Sequence, residues 1–359
     1  MKDDYSSINT LHAGLLMLTS AGLYNHVMVI PHLLASSGRD AWFSSLLAAF
    51  PLLLLLFLLS YLMKRMEGTP LYVWVRERGG RIMAGGLSFL FALYLFLQIY
   101  ITIKEMIHWT IFTYLTEVPN WVLNLFFLLA VGAALYGGLT TITITNIILL
   151  PVIILLGFFV ATGNVPNKDY SLLFPLLENG VTPLLRGILY TMSGFSEIAL
   201  LLLLLPYVKK RIHFTGLFLL SLSFIWLLLG PLTGAIAIFG PKEGSMLRFP
   251  AYEEWSIVSI GTILTHVDYL AINQWLSGAL IRVSLLSYLL LSLFPAADKS
   301  IWRKRGLLFF LILFFLSSIP IPDTTFFVWQ KRSLLFTFYL LLLLLFFLFI
   351  LAVKGKKRA

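Results

Sequence analysis

Long apolar runs, separated by charged residues or helix breakers, follow one another along almost the whole chain of 359 residues. A helix of about 20 apolar residues is long enough to cross a bilayer. Runs such as LLLLLFLLS do not alternate apolar and polar positions, as the strands of a closed β-barrel would. The pattern therefore predicts an all-α polytopic membrane protein of about ten transmembrane helices. The predicted helices cover residues 11–34, 41–63, 82–103 or 82–114, 121–136, 142–162, 183–208, 214–239, 262–293, 306–320 and 333–353.

Composition agrees with this pattern, because 59% of the residues are hydrophobic and only 12% are charged. Soluble domains are about 45–50% apolar and about 25% charged. We interpret residues 1–359 as a single integral membrane domain. Halves of five helices each would cross the bilayer in opposite directions, which predicts a 5+5 inverted repeat. The first repeat would cover about residues 11–163 and the second about 181–320, with the last helices reaching 353.

The net charge of +10 reflects where the basic residues lie between the predicted spans. Most of the 26 Lys and Arg residues fall on the side that holds both termini and every second loop. This asymmetry follows the positive-inside rule and predicts that both termini are cytoplasmic in a multi-pass cell-membrane protein. The basic residues are not gathered with aromatic side chains, so a nucleic-acid surface is not expected.

The sequence offers no constellation for catalysis. The six histidines show no His-Glu-x-x-His spacing, and the chain has no cysteine for a thiolate metal site. The glycine-rich stretch GGRIMAGG, residues 79–86, lacks the Gly-Lys-Ser/Thr ending of a phosphate loop. We therefore predict no catalytic residues, no metal site and no cofactor, and expect that the protein is not an enzyme.

Two predicted helices contain interruptions at matching positions in the two halves. Helix 1 carries Gly22, Asn25 and Pro31 within TSAGLYNHVMVIPHL, and helix 6 carries TMSGFSE. Broken helices expose backbone N–H and C=O groups, which must find a partner or a ligand inside a membrane. The N-terminus of a half-helix suits a carboxylate and the C-terminus suits an ammonium, so a paired break could hold an amino-acid zwitterion. A dry, packed kink is the alternative. The candidate pocket residues are Gly22, Leu23, Tyr24, Asn25, Ser193, Gly194, Phe195 and Ser196.

Two charged residues are expected deep inside the membrane. Glu197 precedes Lys209 by 12 residues, or about 18 Å of helix, and Arg282 precedes Asp298 by 16 residues. Glu197 could bind a ligand ammonium, relay a proton or form a structural ion pair. Arg282 could pair with Glu197, occupy the seam between helices 1 and 8, or snorkel to the surface. Asp268, nearer the outer end of helix 8, is interpreted as a cap or gate residue.

Helix 3 carries a polar stripe of Tyr94, Gln98 and Thr102 at four-residue spacing. Such a stripe must face protein or water, so Tyr94 and Gln98 could line the pocket or hydrogen-bond to other helices. Lys104 and Glu105, which follow, are expected to mark the outer boundary of the membrane.

Three stretches resemble the spore germination B-subunit permeases, a family of the amino acid, polyamine and organocation transporters. SSGRDAWFSSLLAAFPLLL, residues 36–54, resembles the Gly-x-Asp-Ala-Trp-x-Ser start of their helix 2. LLFPLLENGVTPLLRGILYTMSGFSEIALLLLLLPYVKK is similar to their loop and broken helix 6, and SIVSIGTILTHVDYLAINQWLSGALIRVSLLSYLL to their helix 8. The resemblance extends over essentially the whole chain.

The resemblance implies a leucine-transporter-like fold with broken helices 1 and 6. It implies a subunit of a nutrient germinant receptor in the inner spore membrane, which recognises a small germinant such as an amino acid. Its partners would be the larger A subunit and the lipoprotein C subunit. Sodium-coupled relatives place a cation between helices 1 and 8, where Arg282 would remove the need for sodium. A stand-alone proton-coupled amino-acid transporter and a structural subunit with an empty pocket remain open alternatives.

Overall fold

The structure is a computed structural model that describes residues 8–259, 267–294 and 298–355. These residues form helices, and their only β-type pairing is one isolated bridge between Ile8 and Val208. The predicted start of helix 8 at residue 262 and the basic residues closest to the two termini lie outside the described residues.

The elements are numbered here in chain order. They are α1 (Thr10–Tyr24), a π-helical segment (Asn25–Val29), α2 (Ile30–Ser37), α3 (Ala41–Leu47), α4 (Ala49–Met66), α5 (Leu71–Gly79), α6 (Arg81–Thr113), α7 (Asn120–Tyr136), α8 (Gly138–Gly163), α9 (Val181–Phe195), a 3-10 segment (Ser196–Leu200), α10 (Leu201–Leu204), a second 3-10 turn (Leu205–Tyr207), α11 (Phe214–Gly244), α12 (Pro250–Ile257), α13 (Leu270–Ser292), α14 (Lys299–Ser318) and α15 (Asp323–Lys354). Short 3-10 turns also occur at Gly38–Asp40, Val165–Asn167 and Tyr170–Leu173.

Seven helical stretches in the described residues are long and apolar enough to cross a membrane. They are Thr10–Met66, Arg81–Thr113, Gly138–Gly163, Val181–Tyr207, Phe214–Gly244, Leu270–Ser292 and Asp323–Lys354. The first is 57 residues long and contains the two predicted helices 11–34 and 41–63, joined through the short turn at Gly38. The all-helical membrane architecture is confirmed, whereas the count of ten spans remains a prediction.

Several helix bounds differ from those expected. The short helices α5 and α12, which lie between the predicted spans, were not predicted. Their sequences contain many polar residues, and only one face of each helix is buried, as Trp74 is in α5. Helix α6 ends at Thr113, close to the longer of the two alternatives for the third predicted helix. Helix α15 begins at Asp323 rather than 333, so that Lys331 and Arg332 lie within it.

Lys104 and Glu105, which were expected at the outer boundary of the membrane, lie within α6 and are buried inside the protein. Lys104 is fully buried, and its Nζ donates to the carbonyl oxygens of Ser317, at 3.1 Å, and Ile319, at 2.7 Å. Glu105 is also fully buried and forms two hydrogen bonds of 2.7 Å with the guanidinium of Arg248. Paired charges of this kind let a helix continue inside the protein.

Helix α13, the described part of the predicted helix 8, lies at the centre of the bundle and packs against α1, α6, α7 and α8. Helix α6 corresponds to the predicted helix 3, and α1, the π segment and α2 together correspond to the predicted helix 1. Helix 6, which comprises α9, the 3-10 segments and α10, is almost completely buried from Tyr190 to Leu205. Since these central helices are apolar on all sides, the few polar side chains that they carry must find partners within the protein.

The Gly-x-Asp-Ala-Trp-x-Ser stretch that starts helix 2 holds the outer loop and helix 6 in place. Gly38 has a φ of +52°, which favours glycine. Asp40 accepts a hydrogen bond from the backbone N–H of Leu177 at 2.8 Å, and the indole of Trp42 donates to the carbonyl oxygen of Leu173 at 3.3 Å. A Cβ atom on Gly187 of α9 would collide with the hydroxyl of Ser44. The residues of this motif are therefore structural.

The loop helix α12 buries an acid, Glu254, that has an exposed fraction of only 2%. Its carboxyl group lies against Gly234 of α11, and its Oε1 has no hydrogen-bond partner among the described residues. Asn164 donates to its backbone carbonyl oxygen at 2.6 Å. Burial raises the pKa of the Glu254 carboxyl from 4.5 to about 8, although the positive charge of Lys168 opposes this rise.

Glu254 should make the protein less stable as the pH rises. Its folded pKa lies above its unfolded pKa, so the stability that protonation provides is complete below about pH 4.5 and is lost as the pH rises through about 8. At pH 9 the wild-type unfolding temperature in detergent should be about 5 °C below that of Glu254→Gln, and at pH 4.5 the two should agree. Glu243→Gln, at an exposed position, is the control. If its unfolding temperature at pH 9 exceeded that of the wild type by the same amount, the effect could not be assigned to Glu254.

Candidate functional site

Helices 1 and 6 change their helix type where the sequence predicts interruptions. Helix 1 is π-helical over Asn25–Val29, and helix 6 is a 3-10 helix over Ser196–Leu200. Neither helix unwinds: the N–H of Asn25 still donates within helix 1, and that of Leu201 within helix 6. The expected breaks with free backbone groups are therefore absent, and turns of π-helix and 3-10 helix take their place. π-Turns of this kind occur frequently at functional sites.

Asn25, in the π segment of helix 1, contacts Gly194 near the end of α9, just before the 3-10 segment of helix 6. The Asn25 side chain is fully buried, and neither its Oδ1 nor its Nδ2 has a hydrogen-bond partner among the described residues. A Cβ atom on Gly194 would collide with Oδ1 of Asn25, so only glycine leaves room for the amide. A buried unpaired polar group costs about 1–3 kcal/mol, which a bound hydrogen-bonding ligand would recover. This amide is the best candidate ligand contact.

Glu197 and Arg282 form an ion pair without solvent exposure on either side chain. Arg282 Nη1 donates to Oε2 and Nη2 donates to Oε1, each at 2.6 Å. The geometry is bidentate, the arrangement in which arginine binds a carboxylate most strongly. Glu197 thus forms an ion pair, which was one of the three roles considered for it. The Arg282 side chain does not reach the surface of the protein.

Two further helices, α1 and α6, complete the hydrogen bonds of this pair. Arg282 Nη1 donates to the carbonyl oxygen of Ser20 in helix 1 at 3.0 Å, and Nε donates to the hydroxyl of Thr102 in α6 at 3.0 Å. Gln98 Nε2 donates to Glu197 Oε1 at 3.0 Å. The guanidinium carbon lies 4.4 Å from the centre of the Tyr24 ring, a cation–π contact. Arg282 thus pairs with Glu197 and also occupies the seam between helices 1 and 8.

The polar stripe on α6 makes interhelical hydrogen bonds. Besides Gln98 and Thr102, it contains Tyr94, whose hydroxyl accepts a hydrogen bond from Gln98 Nε2 at 3.2 Å. All three side chains are buried at about 1% exposure. Gln98 therefore contacts the ion pair directly, and Tyr94 contacts it through Gln98.

The other predicted pocket residues face their own helices or fill space. The Ser193 hydroxyl donates to the carbonyl oxygen of Tyr190, and that of Ser196 to the carbonyl oxygen of Ser193. The Gly22 carbonyl oxygen accepts from His26 Nδ1 at 3.0 Å. Leu23 packs over Gly278 of α13, and Phe195 is fully buried. In this conformation the two serine hydroxyls are satisfied without a ligand.

Asp268 lies in a separate outer cluster. Its Oδ2 accepts a hydrogen bond from the hydroxyl of Tyr252 at 3.1 Å, and its carbonyl oxygen accepts from Tyr114 at 2.7 Å. Beside it, the rings of Trp109 and Trp275 stack with centroids 4.3 Å apart. These contacts connect α6, α12 and the start of α13, and they agree with a cap or gate role rather than a ligand contact.

Sequence reasoning missed three sets of contacts near the site. They are Arg248 with Glu105 and Asp323, His32 with Gln330, and Ser20 with Arg282. The only sequence signal for His32 is a polar residue in an apolar helix, and nothing in the sequence connects Arg248 to α6. Among the described residues, no group of three or more His, Cys, Asp or Glu side chains could hold a metal ion.

Removing either charge of the central pair should destabilise the protein strongly. We expect Glu197→Gln or Arg282→Gln to cost about 3–5 kcal/mol, because each leaves a buried charge unpaired. The double variant should lose at least about 2 kcal/mol less free energy of unfolding than the two single variants lose together. Chemical unfolding in detergent measures this. At the half-exposed pair of Arg39 and Glu178, Glu178→Gln should cost less than about 1 kcal/mol. Additive effects at Glu197 and Arg282 would contradict the pairing.

Comparison with known proteins places this architecture in a family. Residues 10–328 match the family described as "Spore germination protein". The chain is 32% identical to spore germination protein XB of Bacillus anthracis, over 98% of this chain and 100% of that protein. It is 25% identical to the putative spore germination protein YfkT of Bacillus subtilis strain 168, over 79% of this chain and 77% of that protein. The resemblance noted in the sequence is confirmed.

Among solved structures, the fold is similar to that of MhsT in complex with L-phenylalanine. The TM-score is 0.69 at 14% identity, covering 93% of this chain and 88% of MhsT. At this identity the likeness shows the fold alone, which is that of a leucine-transporter-type membrane protein. The family and this neighbour are germinant-receptor and transporter proteins, so the expectation that the chain is not an enzyme is confirmed. The chain belongs to the spore germination permease family.

Proposed function

We propose that this chain is the membrane subunit of a nutrient germinant receptor in the inner spore membrane. It recognises a small molecule, an amino acid, between the π segment of helix 1 and the 3-10 segment of helix 6. It passes the resulting change to the A and C subunits, with both of its own termini in the cytoplasm. The family match and the fold similarity to an amino-acid-bound protein support this proposal.

The observation that carries the proposal is the unpaired Asn25 amide beside Gly194. One amide offers both an acceptor, Oδ1, and a donor, Nδ2. A zwitterion presents the complementary groups, an ammonium that donates and a carboxylate that accepts. Nearly every buried polar group in a folded protein has a partner, so a buried amide with two free atoms favours a ligand over a dry kink.

We assign the ion pair a positioning role in ligand recognition. Glu197 and Arg282 already satisfy each other, and their partners fix helices 1, 3, 6 and 8 relative to one another. Arg282 supplies a fixed positive charge in the seam of helices 1 and 8, so recognition should not require sodium. A ligand that rotates helix 1 against helix 6 would strain this network, which gives a route from ligand to partner subunits.

We also propose the ten-span, 5+5 inverted-repeat organisation, with repeats of about residues 11–163 and 181–320. Two features support it. Helix 1 and helix 6 occupy equivalent positions in the two halves, and both change helix type near their middle. The similarity to MhsT also extends over 93% of this chain, so it includes both halves.

A stand-alone, proton-coupled amino-acid transporter is the second candidate function. The fold similarity to MhsT favours it, since that structure contains L-phenylalanine. The two candidates share the same binding site, and they differ in whether the ligand crosses the membrane.

Replacing Asn25 should separate ligand binding from folding. Asn25→Leu removes an unpaired buried amide, so the unfolding temperature should stay unchanged or rise. Affinity for the germinant should fall roughly tenfold or more, because a bound ligand would lose its amide partner. Binding of labelled L-amino acids to the purified receptor complex in sodium-free choline buffer measures this.

Asn124→Leu is the matched control. The Asn124 amide donates to Ser317 and Ser318 hydroxyls at 2.8 and 2.9 Å, far along the chain from the proposed pocket. This variant should lose stability and keep its affinity. Unchanged affinity in Asn25→Leu would contradict the proposed site, and an absence of binding by the wild-type complex would favour a structural subunit with an empty pocket.

Transport by the chain alone distinguishes the two functions. In vesicles that contain only this protein and carry an inward proton gradient, we expect no accumulation of labelled amino acid above equilibrium. The reason is that a receptor subunit needs only the bound state to signal. Accumulation that a proton ionophore abolishes would reject the pure receptor and support the transporter.

A further inference from the structure

A groove separates the beginnings of α1 and α11 on the outer surface of the helix bundle. Its volume is about 510 Å³, within the range of about 300–1,000 Å³ that is usual for small-molecule sites. Leu11, Leu15 and Leu18 line one side, Leu219 and Leu220 line the other, and Leu201 of α10 lies at its base. The groove is therefore apolar along most of its length.

The groove is open beside two glycines that line it. A Cβ atom added to Gly14 of α1 or to Gly216 of α11 would meet no other atom within 4 Å. Leu11 and Leu219, on opposite sides, have exposed fractions of 65% and 58%. In a chain that crosses a membrane, such a surface is exposed to lipid rather than to water.

One end of the groove is positively charged. Arg211 and His213 line this end, and Lys209 and Lys210 immediately precede them with exposed side chains. None of the described residues that line the groove is acidic. The nearest ion pair of Arg211 is with Glu67 at 3.9 Å, and both side chains are largely exposed, so it neutralises little of the charge.

We propose that this groove binds an anionic phospholipid. One acyl chain lies along the leucines between α1 and α11, and the phosphate contacts Lys210 and Arg211. Basic residues directly beside a transmembrane helix attract anionic lipids, and an apolar groove that leads to them orients the acyl chain. Because α1 and α10 both border the groove, the lipid would also hold helix 1 against helix 6. This inference does not depend on the proposed germinant site.

Thermal unfolding of the purified full chain in detergent, titrated with defined lipids, tests the proposal. Phosphatidylglycerol should raise the unfolding temperature in a saturable way, whereas phosphatidylcholine with the same acyl chains should not. Inorganic phosphate alone should also have no effect, because the acyl chain contributes to binding. Equal responses to both lipids, or a full response to phosphate, would overturn the proposal.

Two sets of variants locate the effect. Lys210→Gln with Arg211→Gln should weaken phosphatidylglycerol binding by roughly fivefold per residue. Gly14→Leu with Gly216→Leu should fill the groove and abolish the response while the charges remain. Arg303→Gln with Lys304→Gln removes the same charge from another exposed basic segment and should leave binding unchanged. A response that survives in the double leucine variant, or that the Arg303 and Lys304 control also loses, would reject the groove as the site.

A photo-cross-linking residue at Leu219 tests the occupant in native membranes. The label should appear on phospholipid. A label found only on protein would mean that a partner helix covers the groove, and it would overturn the lipid assignment.

Discussion

The buried ion pair of Glu197 and Arg282 is the interaction on which the centre of this protein depends. Removing two charges from water costs several kcal/mol each, and their attraction offsets this only if every remaining hydrogen bond is made. Here Gln98, Thr102 and Ser20 make those bonds, and each comes from a helix other than the two that carry the charges. The cost of leaving any of these groups unpaired therefore fixes four helices in one arrangement. Asn25 directly follows Tyr24, whose ring lies against the guanidinium, so the unpaired amide is next in the chain to this network.

Outside the centre, the buried charged side chains of Asp40, Lys104 and Glu105 all have hydrogen-bond partners. Glu105 and Asp323 share Arg248, which ties α6, the loop before α12 and α15 together. Glu254 differs from them because it has no cationic hydrogen-bond partner, and burial instead favours its protonated form. The part of the protein around Arg248 and Trp109 is thus held by ionic pairs and aromatic stacking, whereas an open apolar groove lies between the starts of α1 and α11.

Much of the fold could be predicted from the sequence, because apolar run length decides which segments can span a bilayer. The depth of Glu197 and Arg282 could also be predicted, since helical rise converts residue counts into distance. Their pairing remained one alternative among several, because relative helix rotation depends on packing that one sequence does not display. The π and 3-10 turns could not be predicted, since glycine and asparagine signal an irregularity without specifying its type. The burial of Lys104 depends on two carbonyl groups about 210 residues away, which no local pattern reveals.

A structure of the intact receptor with a bound amino-acid germinant would test the central claim most directly. The account predicts density for the ligand beside the Asn25 side chain, with the Asn25 amide hydrogen-bonded to it. It also predicts that Glu197 remains paired with Arg282. A ligand ammonium bound to Glu197 in place of Arg282, or a ligand bound elsewhere while the Asn25 amide stays unpaired, would contradict it.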